Sequence, residues 1–203
     1  MSSQRRRGFR RQVEFEERNR FIVIAMEGAE TEPRYFKEFR APREGKIQIK
    51  LVSNPNHKSR PAEVLERLEH YFRRNGISGD EGWIVIDRDA WPEEELNDVH
   101  HRARKANFSV ALSNPCFELW LYFHLRDPCP FNDRHHCQRQ LADILEDYRP
   151  DSKGSYDVSQ LLVGLDRAIE RGRNVDSESQ DTWPRRQATR VYRLVERLLG
   201  RNI

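Results

Sequence analysis

Phe21-Ile22-Val23-Ile24-Ala25-Met26-Glu27-Gly28 and Trp83-Ile84-Val85-Ile86-Asp87-Arg88-Asp89 decide the fold of this chain. Each begins with an apolar run rich in β-branched residues and too short for a helix that spans a domain. Such runs read as strands buried on both faces, as in a parallel sheet. Each ends in carboxylates. In open α/β sheets, ligands sit at the carboxyl ends of the strands, so both acidic clusters fall on one rim. Carboxylates gathered on one rim repel one another and hold their protons more tightly unless a cation neutralises them. Hard oxygen donors without thiolates point to Mg²⁺ or Mn²⁺.

The surrounding pattern supplies the rest of the sheet. Thr31 and Pro33 suit the start of a helix running through Arg40. Ile47, Ile49 and Leu51 alternate with Gln48 and Lys50, which predicts a half-buried strand over 47–52, placed at an edge. Pro61 opens a helix with the stripe Val64, Leu65, Leu68, Tyr71 and Phe72, ended by Asn75-Gly76. A polar helix over 93–106 turns Leu96, Val99 and Ala103 inward. Residues 108–112 form a fourth strand, and Pro115 opens an apolar helix, Cys116 to Leu125. This β-α alternation predicts an α/β three-layer sandwich with a mostly parallel four-stranded sheet. After Pro130 only helices are expected, near 138–148, 157–171 and 185–200. The domain reading is therefore a basic, disordered arm over 1–19, an α/β core over 20–128 and a helical extension over 129–203 packed on it.

Composition narrows the function classes. The chain has 203 residues, 36% hydrophobic and 34% charged, with a net charge of +3. Arg5, Arg6, Arg7, Arg10 and Arg11 stand in an arm with no acid before Glu14, suited to phosphate backbones. No run approaches the ~18 apolar residues of a membrane span, and the start lacks a signal peptide's apolar stretch. Three cysteines do not make a disulfide framework. The expected location is the cytoplasm.

Among the chemical candidates, Glu27 precedes Gly28, a residue that permits close approach to a ligand. Asp87 and Asp89 are two apart, so an extended backbone points both to one side. Arg88 points away from them. Glu32 and Glu30 fall in a first helical turn, where the dipole favours acids. Ser113 and Asn114 reach the same rim, with helix capping as their ordinary role. Glu118 stands among Phe117, Leu119 and Trp120, where a carboxylate is costly to bury unless paired or metal-bound. Cys129, His135, His136 and Cys137 lie close together, but their spacing fits no common zinc pattern. His124 reads as a satisfied core histidine. No phosphate-binding P-loop motif is present.

The Glu-Gly…Thr-Glu-Pro…Tyr-Phe segment, the Asp-Arg-Asp segment and Ser113-Asn114-Pro115-Cys116-Phe117-Glu118-Leu119-Trp120-Leu121 together resemble the RloB family. Thr189-Arg190-Val191 with Leu194-Val195 resembles that family's C-terminal helix. The likeness covers about residues 20–199. It implies a relation to Toprim domains and a setting in restriction-modification and phage defence. By that resemblance Glu27, Asp87 and Asp89 hold Mg²⁺ for phosphodiester chemistry on DNA or RNA, and Glu30 or Glu32 falls near the second acid of OLD-type nucleases. Glu32, and Glu118 by its apolar surroundings, are taken as further ligands. OLD-type nucleases, which contain Toprim domains and work with ATPases, also use a downstream lysine. Lys153 is the only lysine after Lys105 and takes that place. The resemblance thus implies a metal-dependent nuclease. The alternative is an effector subunit, non-catalytic or silent until a neighbouring ATPase acts. A receiver-like phosphoacceptor fits less well, since no strand-end lysine follows Asp87.

Overall fold

The computed structural model describes residues 20–40, 47–57, 59–75, 79–88, 91–152, 156–177 and 182–201. The arm over 1–19, Asp89 and Lys153 lie outside the described residues. The strands are β1 (Arg20–Met26), β2 (Ile47–Val52), β3 (Glu81–Asp87), β4 (Phe108–Asn114) and β5 (Ala188–Thr189). The sheet order is β2-β1-β3-β4-β5. The first four strands are parallel, and β5 runs antiparallel to β4. The sheet is therefore mixed and five-stranded, not four-stranded. The added strand is only two residues long, paired as Ser113↔Thr189 and Asn114↔Ala188, too short to show a period-2 pattern.

Alternation along β1 and β3 explains the layers. Ile22, Ile24, Met26 and Val85 enter one core; Val23, Ala25, Ile84 and Ile86 enter the other. Helices α2 (Pro61–Asn75) and α3 (Glu93–Lys105) cover the second face through Val64, Leu65 and Leu68 and through Leu96, Val99 and Ala103. The first face receives α1 (Thr31–Lys37), α4 (Glu118–Leu125), α5 (Arg134–Ala142), α6 (Val158–Leu162), α7 (Leu165–Ser177) and α8 (Val191–Leu198). The helical extension thus shares a hydrophobic core with the sheet. Among the described residues, no helix is long and apolar enough to cross a membrane.

Several boundaries differ from expectation for identifiable reasons. The first helix ends at Lys37 and continues as a 3-10 turn over Glu38–Arg40. Thr31 lies inside it, and Glu30 precedes it without a side-chain cap. Helix α4 starts at Glu118 rather than after Pro115, because Cys116 and Phe117 form tight turns to Leu119 and Trp120. Helix α5 starts earlier, at Arg134, because the Asp133 carboxylate accepts the His136 N–H at 2.7 Å. The span 157–171 is two helices, not one. The break falls at Gly164, whose backbone lies so close to the His124 carbonyl that a Cβ there would sit 2.0 Å from its oxygen.

Candidate functional site

The strand order reverses between β1 and β3: the chain leaves β1 to one side for β2 and to the other for β3. At such a switch point the crevice opens beyond the strands' carboxyl ends. A cleft of about 400 Å³ lies there, lined by Glu27, Glu32, Asp87 and Glu118 among others. Two strands and two helix starts thus deliver four carboxylates to one space.

Glu27 extends the β1–β3 pairing by one step, its N–H donating to the Val85 carbonyl at 3.0 Å. Its side chain turns back across the crevice, where Oε2 accepts the Asp87 N–H at 3.1 Å. The two strand ends are thereby tied to each other. Asn54, beyond β2, fixes the loop by donating to the Glu27 carbonyl at 3.0 Å.

Glu32 is buried, and its Oε1 accepts the Gly28 N–H at 2.8 Å. A Cβ on residue 28 would sit 2.0 Å from Glu32 Oε2. Glycine here lets the Glu32 carboxylate fold against the backbone; a side chain would push that carboxylate away. Glu118 is 5% exposed, and its Oε1 accepts from Tyr148 Oη at 3.0 Å and Gln138 Nε2 at 3.2 Å. A buried acid in the first turn of an apolar helix is thus held by donors from the extension.

Asp87 is 7% exposed at the end of β3. Burial pushes its carboxyl well above the usual range, and the charges of Glu27, Glu118 and Glu32 push it further in that direction. Arg134, the first residue of α5, opposes them and also lines the cleft. It is the one Lys or Arg among the described lining residues; His57 is the one histidine. Glu30 and Asp151 add acids at the margin. Among the described residues, no three of His, Cys, Asp and Glu converge closely enough to enclose a metal ion. The donor chemistry, all carboxylate oxygen, nonetheless suits a hard divalent cation that keeps part of its water.

Other expected residues go elsewhere. Ser113 Oγ bonds Thr189 Oγ1 at 2.8 Å, and Asn114 Nδ2 donates to the Pro184 carbonyl at 3.1 Å. Both hold the returning segment around β5 and do not cap α4. The Arg88 guanidinium turns to the Trp91 carbonyl, while its N–H donates to the Ser113 carbonyl at 2.7 Å. Cys137 is buried against Cys116, Cys129 Sγ meets Tyr122 Oη at 3.3 Å, and His136 accepts the Asn132 N–H. These contacts diverge, so the cysteine-histidine group is not a zinc site among the described residues. His124 contacts Tyr35 Oη and the Trp120 carbonyl inside the core, and burial lowers its pKa to about 4.

Three contributors were not read from the sequence. Arg134, Tyr148 and Gln138 come from segments with no strand-end signature, and only tertiary packing brings them here. Asn54 had a signal, since it stands just past a predicted strand on the same rim.

The family model for RloB-like proteins matches residues 22–198. The chain belongs to the RloB-like family. The matched span contains the strand ends, the start of α4 and the donors from the extension, so the whole cleft lies within the family's shared sequence. No curated protein and no solved structure matches the chain.

Proposed function

We propose that this RloB-like protein is a metal-dependent nuclease with a Toprim-like site, hydrolysing phosphodiester bonds of DNA or RNA in anti-phage or restriction-linked defence. One observation carries the reading: Glu27, Glu32, Asp87 and Glu118 share a cleft at the sheet's switch point, with Asp87 buried among like charges. Such an arrangement is unfavourable without a cation and is expected where charge serves a function.

A bound Mg²⁺ or Mn²⁺ would polarise the phosphodiester and lower the pKa of an attacking water. Glu27 and Asp87 would offer its central ligands, with Glu32 and Glu118 as further donors; Asp89 is a ligand the family resemblance implies. Tyr148 and Gln138 would aim the Glu118 carboxylate. Arg134 would hold a non-bridging phosphate oxygen. Lys153 remains the candidate for the downstream lysine that the resemblance implies.

A second reading is a subunit active only with an ATPase partner. It is favoured by the absence, among the described residues, of three acids already in ligating arrangement. Such a site would close when a partner or substrate brings its parts together.

The test is cleavage of single- and double-stranded DNA and RNA with Mg²⁺ or Mn²⁺, comparing wild type with Asp87→Asn. Metal-dependent cleavage should fall in the variant by more than the ~10–100-fold typical of outer-shell changes. No cleavage, with Mn²⁺ still bound through Asp87, selects the partner-gated reading. No Mn²⁺ binding by the wild type rejects both.

A further inference from the structure

Next to the carboxylate cleft lies a groove of about 860 Å³ between the end of β2 and α2. Asn54 lines both spaces, so the two adjoin at this residue. The groove's helical wall carries Arg67, His70, Tyr71 and Arg74, spaced so that one face of α2 presents them together, with Arg73 beside them.

The two outermost charges on this wall are not spent on acids among the described residues. Arg73 and Arg74 are exposed and make no ion pair with a carboxylate among the described residues; Arg74 Nη1 lies 3.5 Å from His70 Nε2. By contrast Arg60, Arg102, Arg171, Arg173, Arg197 and Arg201 are each paired with an acid. Arg67 forms the inner wall. Its Nη2 donates to the Met26 carbonyl at 2.6 Å, while Nε and Nη1 are buried with no hydrogen-bond partner among the described residues. Its charge is opposed through space by Glu63 and Glu27, so Arg67 serves as the fixed inner wall and the phosphate contacts fall to the outer cations. Glu63 and Glu66 also line the groove; Glu63 Oε2 lies 3.4 Å from the Arg60 N–H at the start of α2, and the Glu63 charge acts on Arg67. Tyr71 is half-buried and packs edge-on against Phe72. A cationic track with an aromatic ring is the pattern that binds single strands: cations follow the phosphates, and a base stacks on the ring.

We propose that this groove binds a single-stranded nucleic acid, with phosphates on Arg73, Arg74 and His70 and a base on Tyr71, and leads the strand over Asn54 into the carboxylate cleft. The inference rests on the nuclease reading for its direction, but its binding step needs no metal.

It is tested by fluorescence anisotropy of labelled 20-residue single-stranded DNA and RNA against the full chain in EDTA, across a salt series. The double variant Arg73→Gln, Arg74→Gln changes only exposed side chains. Each lost phosphate contact should lower the salt slope by about 0.7, so the slope should fall by about 1.4. Extended from 1 M, that difference is about 25-fold weaker binding at 0.1 M salt. Tyr71→Ala should reduce the preference for single strand over duplex. Equal slopes for wild type and double variant overturn the proposal, because binding would then belong to another surface such as the arm over 1–19. No binding of any oligonucleotide by the wild type overturns it too. Mn²⁺ titration of the same preparations judges the cleft separately: a failed groove with Mn²⁺ bound through Asp87 leaves the nuclease reading standing.

Discussion

Two buried aspartates divide this molecule. Asp176, on α7, is 2% exposed and fully answered: Arg190 Nε at 2.9 Å, Arg193 Nη2 at 2.6 Å and Tyr192 Oη at 2.9 Å all point at it. Asp87, at the end of β3, is buried nearly as well but faces Glu27, Glu32 and Glu118, with Arg134 as the opposing cation. Burial alone therefore does not distinguish the two. The sign of the neighbours does. Around Asp176 the fold has assembled a brace of opposite charge joining α7 to the start of α8. Around Asp87 it tolerates repulsion, which folding by itself would not favour.

The largest expected effect tests the brace. Asp176→Ala strands two guanidiniums and a phenol, and should cost about 3–5 kcal/mol in urea unfolding. Asp87→Asn, in EDTA, should cost nothing or stabilise, because it removes a charge that its neighbours oppose. The pH dependence follows. The folded Asp87 carboxyl binds its proton more tightly than the unfolded one, so its contribution is fully present below the unfolded pKa. That contribution is lost as pH rises through the raised folded value. In EDTA the wild type should lose stability over this window, and Asp87→Asn should flatten the loss. Superimposable profiles would remove the contrast between the two aspartates.

Next in size is the response to metal. Mn²⁺ at 100 times its dissociation constant should stabilise the wild type by about 2.7 kcal/mol, and Asp87→Asn far less. Asp176→Asn should respond as the wild type does, if it remains folded. Equal Mn²⁺ shifts in wild type and Asp87→Asn would show that the repulsion at Asp87 is not there for a cation.

Gly28→Ala is smaller and sharper. A Cβ cannot stand 2.0 Å from Glu32 Oε2, so the carboxylate must swing away and release the Gly28 N–H. Backbone and fold otherwise persist, since the obstacle is the far end of a side chain. The expected result is Mn²⁺ affinity lowered about 10–100-fold, read by titration. Unchanged affinity would take Glu32 out of the site.

How much of this was legible depends on the range of the interactions involved. The strands ending in Glu27 and Asp87 and the stripes of α2 and α3 were readable because periodicity and strand-end acids are local. The convergence of their carboxylates follows from one topological rule. Strand β5 was not readable, because it exists only by pairing with residues about seventy-five positions earlier. The split between α6 and α7 depends on a distant carbonyl, that of His124, pressing on Gly164. Glu118 was recognisable as an anomaly, but its partners Gln138 and Tyr148 lie 20 and 30 residues on, in segments without a pattern of their own. Arg134 was hidden for the same reason. The acids of the cleft were therefore visible, while the groups that orient and oppose them were not.

Tyr148→Phe tests that division with the smallest effect. Glu118 belongs to the repelling group by its neighbours, yet it resembles Asp176 in having donors of its own. If its two hydrogen bonds are a brace, losing Tyr148 Oη should cost about 1 kcal/mol of stability and leave Mn²⁺ affinity untouched. If they aim the carboxylate at a cation, the same cost should come with weaker Mn²⁺ binding, while Gln138 still holds the shared oxygen. The second outcome is expected, because Glu118 lines the cleft and contributes to the field that raises Asp87. A stability loss without a change in affinity would move Glu118 to the structural side, leaving Glu27, Glu32 and Asp87 as the described acids of the site.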